Sequence, residues 1–542
     1  MTKPWYGQYD AWVPHEIDPD EHSNVVDMLA EASERYSEHT AYSNFGGRKT
    51  FAEIDKLSLD FAAYLQNTLG LKKGERVALM APNMMAFPVA MFGILRAGGV
   101  QVNVNPMYTA RELEHQLNDA DVETIVIFSG STGTLADVVE KTRIRNVIVV
   151  TLDDLVDLGL SSPTADDRLT NAVDFTATIA AGAEMEFQPV AIDGDDLIYL
   201  QYTGGTTGVS KGAMLTHRNL VANIMQFQKF AGDYIKYGEE VVITAIPMYH
   251  IFALMVNTLS LYYFGGTNVL ITDPRDMPAF VKEWSKWEVS IFTGVNTLFN
   301  GLLHTTGFAD IDFSSLRISV GGGAAVQKAV SDQWRSVTGR HIKEGYGLSE
   351  TSPILTLNPF AKEDFANSIG VPAPSTDISL RDDDGKEVPQ GERGELCAKG
   401  PQVMKGYWRR EDATAEVMTD DGFFCTGDIA TMDEDGFFRI VDRKKDMIIV
   451  SGFNVFPNEI EAEVAMMDSV LECACIGVPN EKTGEAVKLF IVKVDDSLTQ
   501  EQVREHCSGC LTGYKVPRHI VFIEALPKST VGKILRRELR DI

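Results

Sequence analysis

The chain has few cysteines and no long apolar run. Six cysteines in 542 residues cannot supply a disulfide scaffold, which favours a reducing compartment. The most apolar stretch, residues 251–264, is shorter than the ~18 residues that a membrane-spanning helix needs, and it predicts a buried helix. The first residues lack the apolar core of a signal peptide, and the last residues carry no prenylation box. We therefore expect a cytoplasmic protein.

The chain also lacks an excess of basic residues. Its 49 Lys and Arg against 77 Asp and Glu give 49 − 77 = −28, and a surface this acidic repels phosphate backbones. General nucleic-acid binding is therefore excluded. Residues 511–542 are the exception, because seven basic and three acidic residues leave 7 − 3 = +4. That segment is either a solvated helix face, which charge alone favours, or a site for a local anion.

The length and the residue pattern predict at least two domains. Single cores stop growing near roughly 250–300 residues, well below the 542 found here. Strand-like and helix-like runs alternate through the first 340 residues, which is typical of α/β folds with parallel sheets. Residues 171–190 are weakly patterned and are interpreted as a connection. Turn-rich, hairpin-like sequence begins near Ser379, and a separate pattern of about 100 residues follows Asp442.

Two cysteine clusters are interpreted as structural. Cys473 and Cys475 lie in an apolar run that predicts a buried strand. His506, Cys507 and Cys510 could begin a zinc site, but no second Cys or His pair lies at finger spacing. Metal or redox chemistry is therefore not favoured at either cluster.

The strongest local signal is a loop rich in glycine and threonine at residues 203–211. A β-rich run, residues 197–202, leads into Thr203, Gly204, Gly205, Thr206, Thr207, Gly208, Val209, Ser210 and Lys211, and a helix is predicted after Thr216 as its N-cap. Glycines let backbone N–H groups approach an anion, and hydroxyls and a lysine add donors, so the loop suits a polyphosphate. It is neither a Walker A loop nor a G-x-G-x-x-G motif. The alternative is a simple turn.

The whole string resembles the phosphate loop of the adenylate-forming superfamily, which includes acyl-CoA synthetases, aryl-CoA ligases, luciferases and peptide-synthetase adenylation domains. Further segments match the superfamily's motifs in order: residues 95–117, 346–351, 426–428, 442–446 and 527–539. Residues 421–461 resemble the fatty acyl-CoA synthetase signature, and residues 350–354 and 527–539 also resemble the bacterial long-chain fatty-acid–CoA ligases. Cys425 departs from this pattern where His or Lys is common, and Phe423 where Trp is common.

The resemblance implies a fold of α/β class. It has a large N-terminal domain of stacked α/β sheets plus a β-rich subdomain, with a small mobile α+β C-terminal domain. An adenylation domain that holds ATP and the acyl pocket is expected at residues 1–442, and a lid domain at residues 443–542. The hinge is expected at about residues 442–446, with Lys445 as the pivot. Rotation of the lid would bring Ser451 and Gly452 toward the CoA channel.

The chemistry implied is activation of a carboxylate, which is a poor electrophile until its leaving group improves. Attack on the α-phosphate of ATP gives an acyl-adenylate and pyrophosphate, and a thiol then displaces AMP. Because the first step joins a carboxylate to a triphosphate, it needs positive charge and oriented donors. The resemblance assigns catalysis to Lys533, Glu350, Thr351 and Lys211, and Mg²⁺ to Glu350 and Thr206.

The resemblance also assigns binding residues. ATP and AMP are expected at Thr203, Gly204, Gly205, Thr206, Thr207, Gly208, Gly322, Gly323, Ala324, Tyr346, Thr351, Asp428 and Arg443. Tyr346 would stack on adenine, and Asp428 and Arg443 would contact ribose. The acyl pocket is expected at His250, Gly322 and Val295, although a buried histidine is as often a core residue. No Asp–Lys pair offers an anchor for an amino-acid zwitterion, which favours an apolar acid.

The sequence therefore predicts an AMP-forming fatty acyl-CoA synthetase, with long-chain acids favoured. Its substrates would be a fatty acid, ATP and CoA, with Mg²⁺ as the cofactor. The alternatives are an aryl- or medium-chain acid–CoA ligase and a luciferase-like enzyme that oxidises an adenylate. A non-catalytic protein on this fold would be expected to lose Glu350, Asp428 or Lys533, and all three are present. Peripheral contact with the inner face of the membrane and homodimer formation are further expectations.

Overall fold

The computed structural model describes residues 3–203, 210–480, 482–494, 496–529, 532–540 and 542. In these residues the helices are α1 (Val25–Arg35), α2 (Phe51–Asn67), α3 (Ala86–Arg96), α4 (Ala110–Asp119), α5 (Thr132–Ala136), α6 (Phe175–Gly182), α7 (His217–Ala231), α8 (Leu261–Tyr263), α9 (Met277–Trp284), α10 (Asn296–Leu303), α11 (Lys328–Thr338), α12 (Glu411–Val417), α13 (Pro457–Val464), α14 (Gln500–Cys510) and α15 (Arg536–Leu539). A buried π-helix, Ala253–Ser260, runs into α8, which confirms the buried helix expected at residues 251–264.

The strands form four sheets. They are β1 (Thr40–Asn44), β2 (Gly47–Thr50), β3 (Arg76–Met80), β4 (Val100–Asn103), β5 (Thr124–Phe128), β6 (Asn146–Val150), β7 (Ala172–Asp174), β8 (Leu197–Thr203), β9 (Lys211–Thr216), β10 (Val241–Thr244), β11 (Thr267–Leu270), β12 (Ile291–Gly294), β13 (Ile318–Gly321), β14 (Lys343–Gly347), β15 (Ile354–Leu357), β16 (Val371–Pro372), β17 (Asp377–Arg381), β18 (Gly394–Lys399), β19 (Phe424–Met432), β20 (Phe438–Arg443), β21 (Ile448–Val450), β22 (Phe453–Val455), β23 (Val470–Asn480), β24 (Gly484–Lys493) and β25 (His519–Phe522).

Two large sheets carry the N-terminal part of the chain. One runs β7-β6-β5-β3-β4-β8-β9 and the other β16-β15-β14-β13-β12-β10-β11-β1-β2. Most of their strands pair in parallel. The antiparallel pairs are β8–β9 in the first sheet and β1–β2, β14–β15 and β15–β16 in the second. Apolar strands such as β5 and β6 are buried almost throughout, as expected when helices cover both faces of a parallel sheet. The main core joins both sheets through α2, α3, α7 and the π-helix.

Two smaller sheets follow. The first, β17-β18-β19-β20, is antiparallel and ends at Arg443. The second runs β22-β21-β24-β23 with β25 beside β24, begins at Ile448, and has its own core with α13 and α14. This architecture confirms the α/β class with a β-rich region and a small α+β C-terminal unit. The domain limits at residues 442–446 stay a prediction.

The structure corrects one expectation from the sequence. Residues 171–190, expected to be a connection, contain β7 and α6. Helix α6 is short, and its buried residues Phe175, Thr178, Ile179 and Gly182 stand at helical spacing. Alanines also lie on the outer face, so the sequence shows little contrast between an apolar and a polar face. Gly182 lies so close to α2 that a Cβ atom there would be 1.8 Å from the carbonyl oxygen of Asp60. Small residues therefore serve close packing in a segment whose pattern suggested a loop.

Within the described part of the chain, none of the helices combines the length and the apolar character that crossing a bilayer requires.

Candidate nucleotide and acyl site

The Gly/Thr loop joins two antiparallel strands. Thr203 at the end of β8 is the register partner of Lys211 at the start of β9, so Lys211 is the first residue of a strand and the loop is a hairpin connection. The hydroxyl of Ser210 donates to the carbonyl of Thr203 over 2.6 Å and closes the base of this connection. Thr216 caps α7 through a capping box with Asn219, which confirms the predicted N-cap. The expected phosphate ligands Gly204, Gly205, Thr206, Thr207 and Gly208 lie outside the described residues.

Glu350 is a buried carboxylate with one close polar partner that the sequence reasoning missed. The hydroxyl of Tyr407 donates to Oε1 of Glu350 over 2.8 Å. The same tyrosine ring lies 5.0 Å from the ammonium nitrogen of Lys211. Burial raises the pKa of Glu350, and the Tyr407 hydrogen bond opposes that rise. Tyr407 therefore brings together two of the predicted catalytic side chains, and only the tertiary contact identifies it.

Glu350 also fits the predicted magnesium. It sits in a short 3₁₀ turn with Thr351, and among the described residues no Lys or Arg forms a salt bridge with it. A buried carboxylate without a salt-bridge partner is a ligand that Mg²⁺ accepts, with the remaining ligands from phosphate and water. The Thr351 side chain is fully buried, and its hydroxyl donates to the carbonyl of Pro353 over 2.6 Å. Thr351 thus holds the turn, while its contact with the α-phosphate stays a prediction.

The three residues expected around adenosine form one connected group. The hydroxyl of Tyr346 donates to Oδ2 of Asp428 over 2.6 Å. Asp428 and Arg443 are opposite each other on β19 and β20, and Nε of Arg443 lies 3.5 Å from Oδ1 of Asp428. The amide of Asp428 donates to the hydroxyl of Thr426, which bonds the carbonyl of Leu396 on β18. The Asp428 carboxylate, which is predicted to contact ribose, is therefore positioned by β18, β19 and β20.

Lys533 lies against the Gly-rich turn that follows β13. A Cβ atom on Gly323, which has φ +77°, would lie 3.3 Å from Cε of Lys533. Burial lowers the pKa of Lys533 to about 8, the charge of Arg443 adds to this, and Asp428 and Glu350 oppose it. A glycine here leaves room for the lysine stem. Gly322 is buried and Ala324 exposed at this turn.

An apolar cavity of about 80 Å³ opens beside this turn. His250, Gly322, Tyr346 and Lys533 line it, together with the apolar side chains of Phe227, Ile251, Phe252, Val256, Val320, Ile354 and Leu357. Burial lowers the pKa of His250 to about 3, helped by the Lys533 charge, so the imidazole is neutral. Its Nδ1 accepts from the amide of Phe252. Val295 is not in the described lining, but its Cγ1 would lie 3.7 Å from a Cβ atom on Gly323, which lines the cavity, so its place in the acyl pocket stays a prediction.

The predicted pivot, Lys445, lies in a turn between β20 and β21, and polar residues of the C-terminal unit contact the end of β20. The amide of Asp446 donates to the carbonyl of Arg443, and burial lowers the pKa of Lys445. Asp442 accepts from the amide of Asn458, and burial raises the pKa of Asp442 to about 6. Arg536, on the last helix, pairs with Glu461 over 2.8 Å and lies 3.9 Å from Asp442. Arg536 was not predicted as a functional residue, although the basic character of its segment indicated a local anion.

The residues expected to meet CoA lie apart from the apolar cavity. Ser451 and Gly452 form a turn with φ values of +54° and +82°. Ser451 lines a separate cavity of about 510 Å³ on the C-terminal unit, together with Tyr514, Arg504 and Arg518. The two cavities share no lining residue. Lys533 of the C-terminal unit therefore lines the same cavity as Tyr346, whereas Ser451 lines the other one.

The comparisons with known proteins match this geometry. The family described as AMP-binding enzyme matches residues 29–408, and the AMP-binding enzyme C-terminal domain matches residues 459–533. A long-chain-fatty-acid–CoA ligase of Yersinia pestis is 52% identical over 100% of this chain and 98% of its own. A feruloyl-CoA synthase of an Amycolatopsis species is 35% identical over 93% of this chain and 96% of its own.

Solved structures agree. ATP-bound MatB from Rhodopseudomonas palustris has a TM-score of 0.83 and 29% identity, covering 96% of this chain and 98% of that one. The chain therefore belongs to the family of AMP-binding enzymes, and its predicted resemblance to the adenylate-forming superfamily is confirmed.

Proposed function

We propose that this chain is an AMP-forming long-chain-fatty-acid–CoA ligase. It activates the carboxylate of a fatty acid with ATP, releases pyrophosphate, and transfers the acyl group from the adenylate to the thiol of CoA. The 52% identity to a long-chain-fatty-acid–CoA ligase along the whole chain supports this assignment. The relative at 35% identity is named a feruloyl-CoA synthase, so its name also describes an enzyme that forms a CoA thioester.

The observation that carries the proposal is the position of Lys533. Lys533 lines an apolar cavity whose described lining contains no Asp or Glu. An acid with an apolar tail could pair its carboxylate with Lys533, and the described lining offers no carboxylate that would bind a substrate amino group. An amino-acid substrate would bury an unpaired ammonium at a cost of several kcal/mol. This supports an apolar acid over an amino acid.

In the first half-reaction, Lys533 neutralises charge on the acid and on the α-phosphate while the carboxylate oxygen attacks phosphorus. Asp428 accepts from the ribose hydroxyls, Arg443 supports it, and Tyr346 offers its ring to adenine. Lys211 and the loop of residues 203–211 provide donors to the β- and γ-phosphates, and Thr351 contacts the α-phosphate. Magnesium would be held by Glu350 and Thr206, and when bound it supplies positive charge to the phosphates.

In the second half-reaction, the CoA thiol attacks the acyl carbonyl and AMP leaves. Lys533 and its segment occupy the site during adenylation, so they must withdraw before a thiol can reach the same carbon. A rotation of residues 443–542 about Lys445 would remove Lys533 and bring Ser451 and Gly452 to the site.

A pyrophosphate-release series over different acids tests the proposed function. A long saturated acid should give a higher kcat/KM than benzoate or 4-coumarate, because the relative that is 52% identical over the whole chain is named a long-chain-fatty-acid–CoA ligase. A higher kcat/KM for an aromatic acid would move the assignment to an aryl-CoA ligase. Light or oxidised product without CoA would indicate a luciferase-like reaction.

The proposal includes a cytoplasmic location with peripheral contact at the inner face of the membrane, where the acid would be collected. Flotation with phospholipid vesicles, with and without oleate, tests that contact. Homodimer formation stays a prediction that sedimentation of the purified chain would decide.

A further inference from the structure

Two cysteines face each other beside the group proposed to bind ribose. Cys397 on β18 and Cys425 on β19 are register partners in an antiparallel pair, and their sulfur atoms lie 2.9 Å apart. Directly opposite residues in such pairs have Cα atoms ~4.5–5.5 Å apart, within the ~4.4–6.8 Å that a disulfide spans. The sulfurs need to approach by less than ~1 Å to reach the ~2.05 Å of an S–S bond. The backbone is therefore already placed for closure.

The two thiols differ in exposure and in charge environment. Cys397 is buried, whereas Cys425 is partly exposed. A hydrogen bond from the Cys397 thiol lowers the pKa of Cys425, and the Arg381 guanidinium and Lys444 act in the same direction, while burial and Glu395 oppose them. The pKa of Cys397 is raised, first by the hydrogen bond to Cys425 and then by burial. Cys425 is thus the better nucleophile and Cys397 the resolving thiol.

We propose that Cys397 and Cys425 form a reversible dithiol–disulfide site, oxidised by low-molecular-weight disulfides such as oxidised glutathione, that controls nucleotide binding. The Cys425 thiolate attacks one sulfur of the oxidant, which forms a mixed disulfide and releases one thiolate. The Cys397 sulfur, after losing its proton to solvent, attacks the Cys425 sulfur and releases the second thiolate. Two protein thiols are oxidised, one small disulfide is reduced to two thiols, and both protons go to the released thiols.

The cysteine pair is connected to Asp428, the residue proposed to bind ribose, through the turn that follows Cys425. The Thr426 hydroxyl donates to the carbonyl of Leu396, the residue before Cys397, over 2.8 Å. The Gly427 amide donates to a carboxylate oxygen of Glu395 over 3.1 Å, and the strand register shifts between Glu395 and Cys397. A cross-link at Cys397 and Cys425 fixes β18 against β19 at this irregularity. Closing it pulls on the turn that presents Asp428, so oxidation should weaken ATP binding.

The test is made on the full chain equilibrated with reduced and oxidised glutathione at fixed ratios. Non-reducing digestion and mass spectrometry measure the peptide that joins Cys397 to Cys425. ATP–pyrophosphate exchange with the acid at saturation gives the KM for ATP. We expect the cross-link to rise with oxidant, the KM for ATP to rise by roughly fivefold or more, and dithiothreitol to reverse both.

Matched variants separate this pair from other thiols. Cys425→Ser and Cys397→Ser should each remove the cross-link and the effect of oxidant on the KM. Cys510→Ser, which replaces the exposed cysteine, should leave both unchanged. The inference is overturned if Cys510 becomes glutathionylated while no Cys397–Cys425 peptide forms. A cross-link without a change in the KM for ATP overturns control of nucleotide binding. Because the peptide readout needs no acid substrate, it is independent of the proposed chain-length preference.

Discussion

The charge of Lys533 should set the alkaline limit of adenylation. Burial, together with the charge of Arg443, lowers the pKa of this ammonium to about 8, below its ordinary value. The charged form is the one that can neutralise the acid and the α-phosphate, and it is lost as pH rises through the pKa. For a pKa of about 8, Lys533 is charged in roughly nine-tenths of the molecules at pH ~7 and in roughly one-tenth at pH ~9. The adenylation rate should therefore fall about tenfold over that interval.

The assay is ATP–pyrophosphate exchange, because kcat/KM reports the ionisations of the free enzyme. Thioester formation from supplied acyl-adenylate should show no matching decline, since Lys533 acts only in the first half-reaction. Lys533→Arg keeps a positive charge at every pH used and should flatten the alkaline limb. Lys533→Ala should lose on the order of 10²–10³ in adenylation rate at pH ~7 while largely sparing the thioester step.

Two results would refute this reasoning. A kcat/KM for ATP that stays flat to pH ~10 would mean that the Lys533 charge does not limit adenylation. Equal losses in both half-reactions for Lys533→Ala would make Lys533 a structural residue. Circular dichroism of each variant is the control for folding.

Two other predictions concern the hinge and the buried carboxylate. Proline at position 445 would fix φ near −65° and remove an N–H, which should restrict rotation of the C-terminal unit. Lys445→Pro should therefore retain most pyrophosphate exchange and lose most acyl-CoA formation. Unimpaired thioester synthesis by the folded variant would place the pivot elsewhere. Tyr407→Phe removes a hydrogen bond to Glu350 that lowers the pKa of that carboxyl. Losing that bond should move the acid limb of ATP–pyrophosphate exchange to higher pH, and an unchanged limb would show that Glu350 does not titrate there.

The outline of the fold was predictable because its signals are local. Short apolar runs separated by amphipathic helices indicated parallel α/β sheets, and β3, β5 and β6 are such runs. The Thr216 N-cap was predictable for the same reason, since capping depends on neighbours three residues apart. Helix α6 was not predicted, because alanines on its outer face and a threonine and a glycine on its buried face leave little contrast between the two faces.

The site divides in the same way. Motif residues such as Glu350, Asp428 and Lys533 were found because each stands in a specific local string. Tyr407 lies 57 residues from Glu350 and in no motif that the sequence reasoning used. Tyr407 forms an isolated bridge to Ala213 on β9, and its hydroxyl reaches Glu350 because β9 packs against the turn at residues 349–351. His250 and Gly322 line one cavity and Val295 packs beside Gly323 at its wall, while the role of this cavity as the acyl pocket stays a prediction.

The sequence by itself determined the chemistry that this protein has available: an acidic chain with a phosphate-type loop, a turn that carries Glu350, a ribose carboxylate and a basic C-terminal segment. These follow from residue identity and short spacing, which need no tertiary contact to be recognised. Tertiary structure decided which of these groups act on one another. It placed Lys533 against the turn at Gly323, joined Lys211 and Glu350 through Tyr407, and set Cys397 opposite Cys425. Such contacts depend on how strands distant in sequence pair and pack, and local sequence patterns do not encode that pairing.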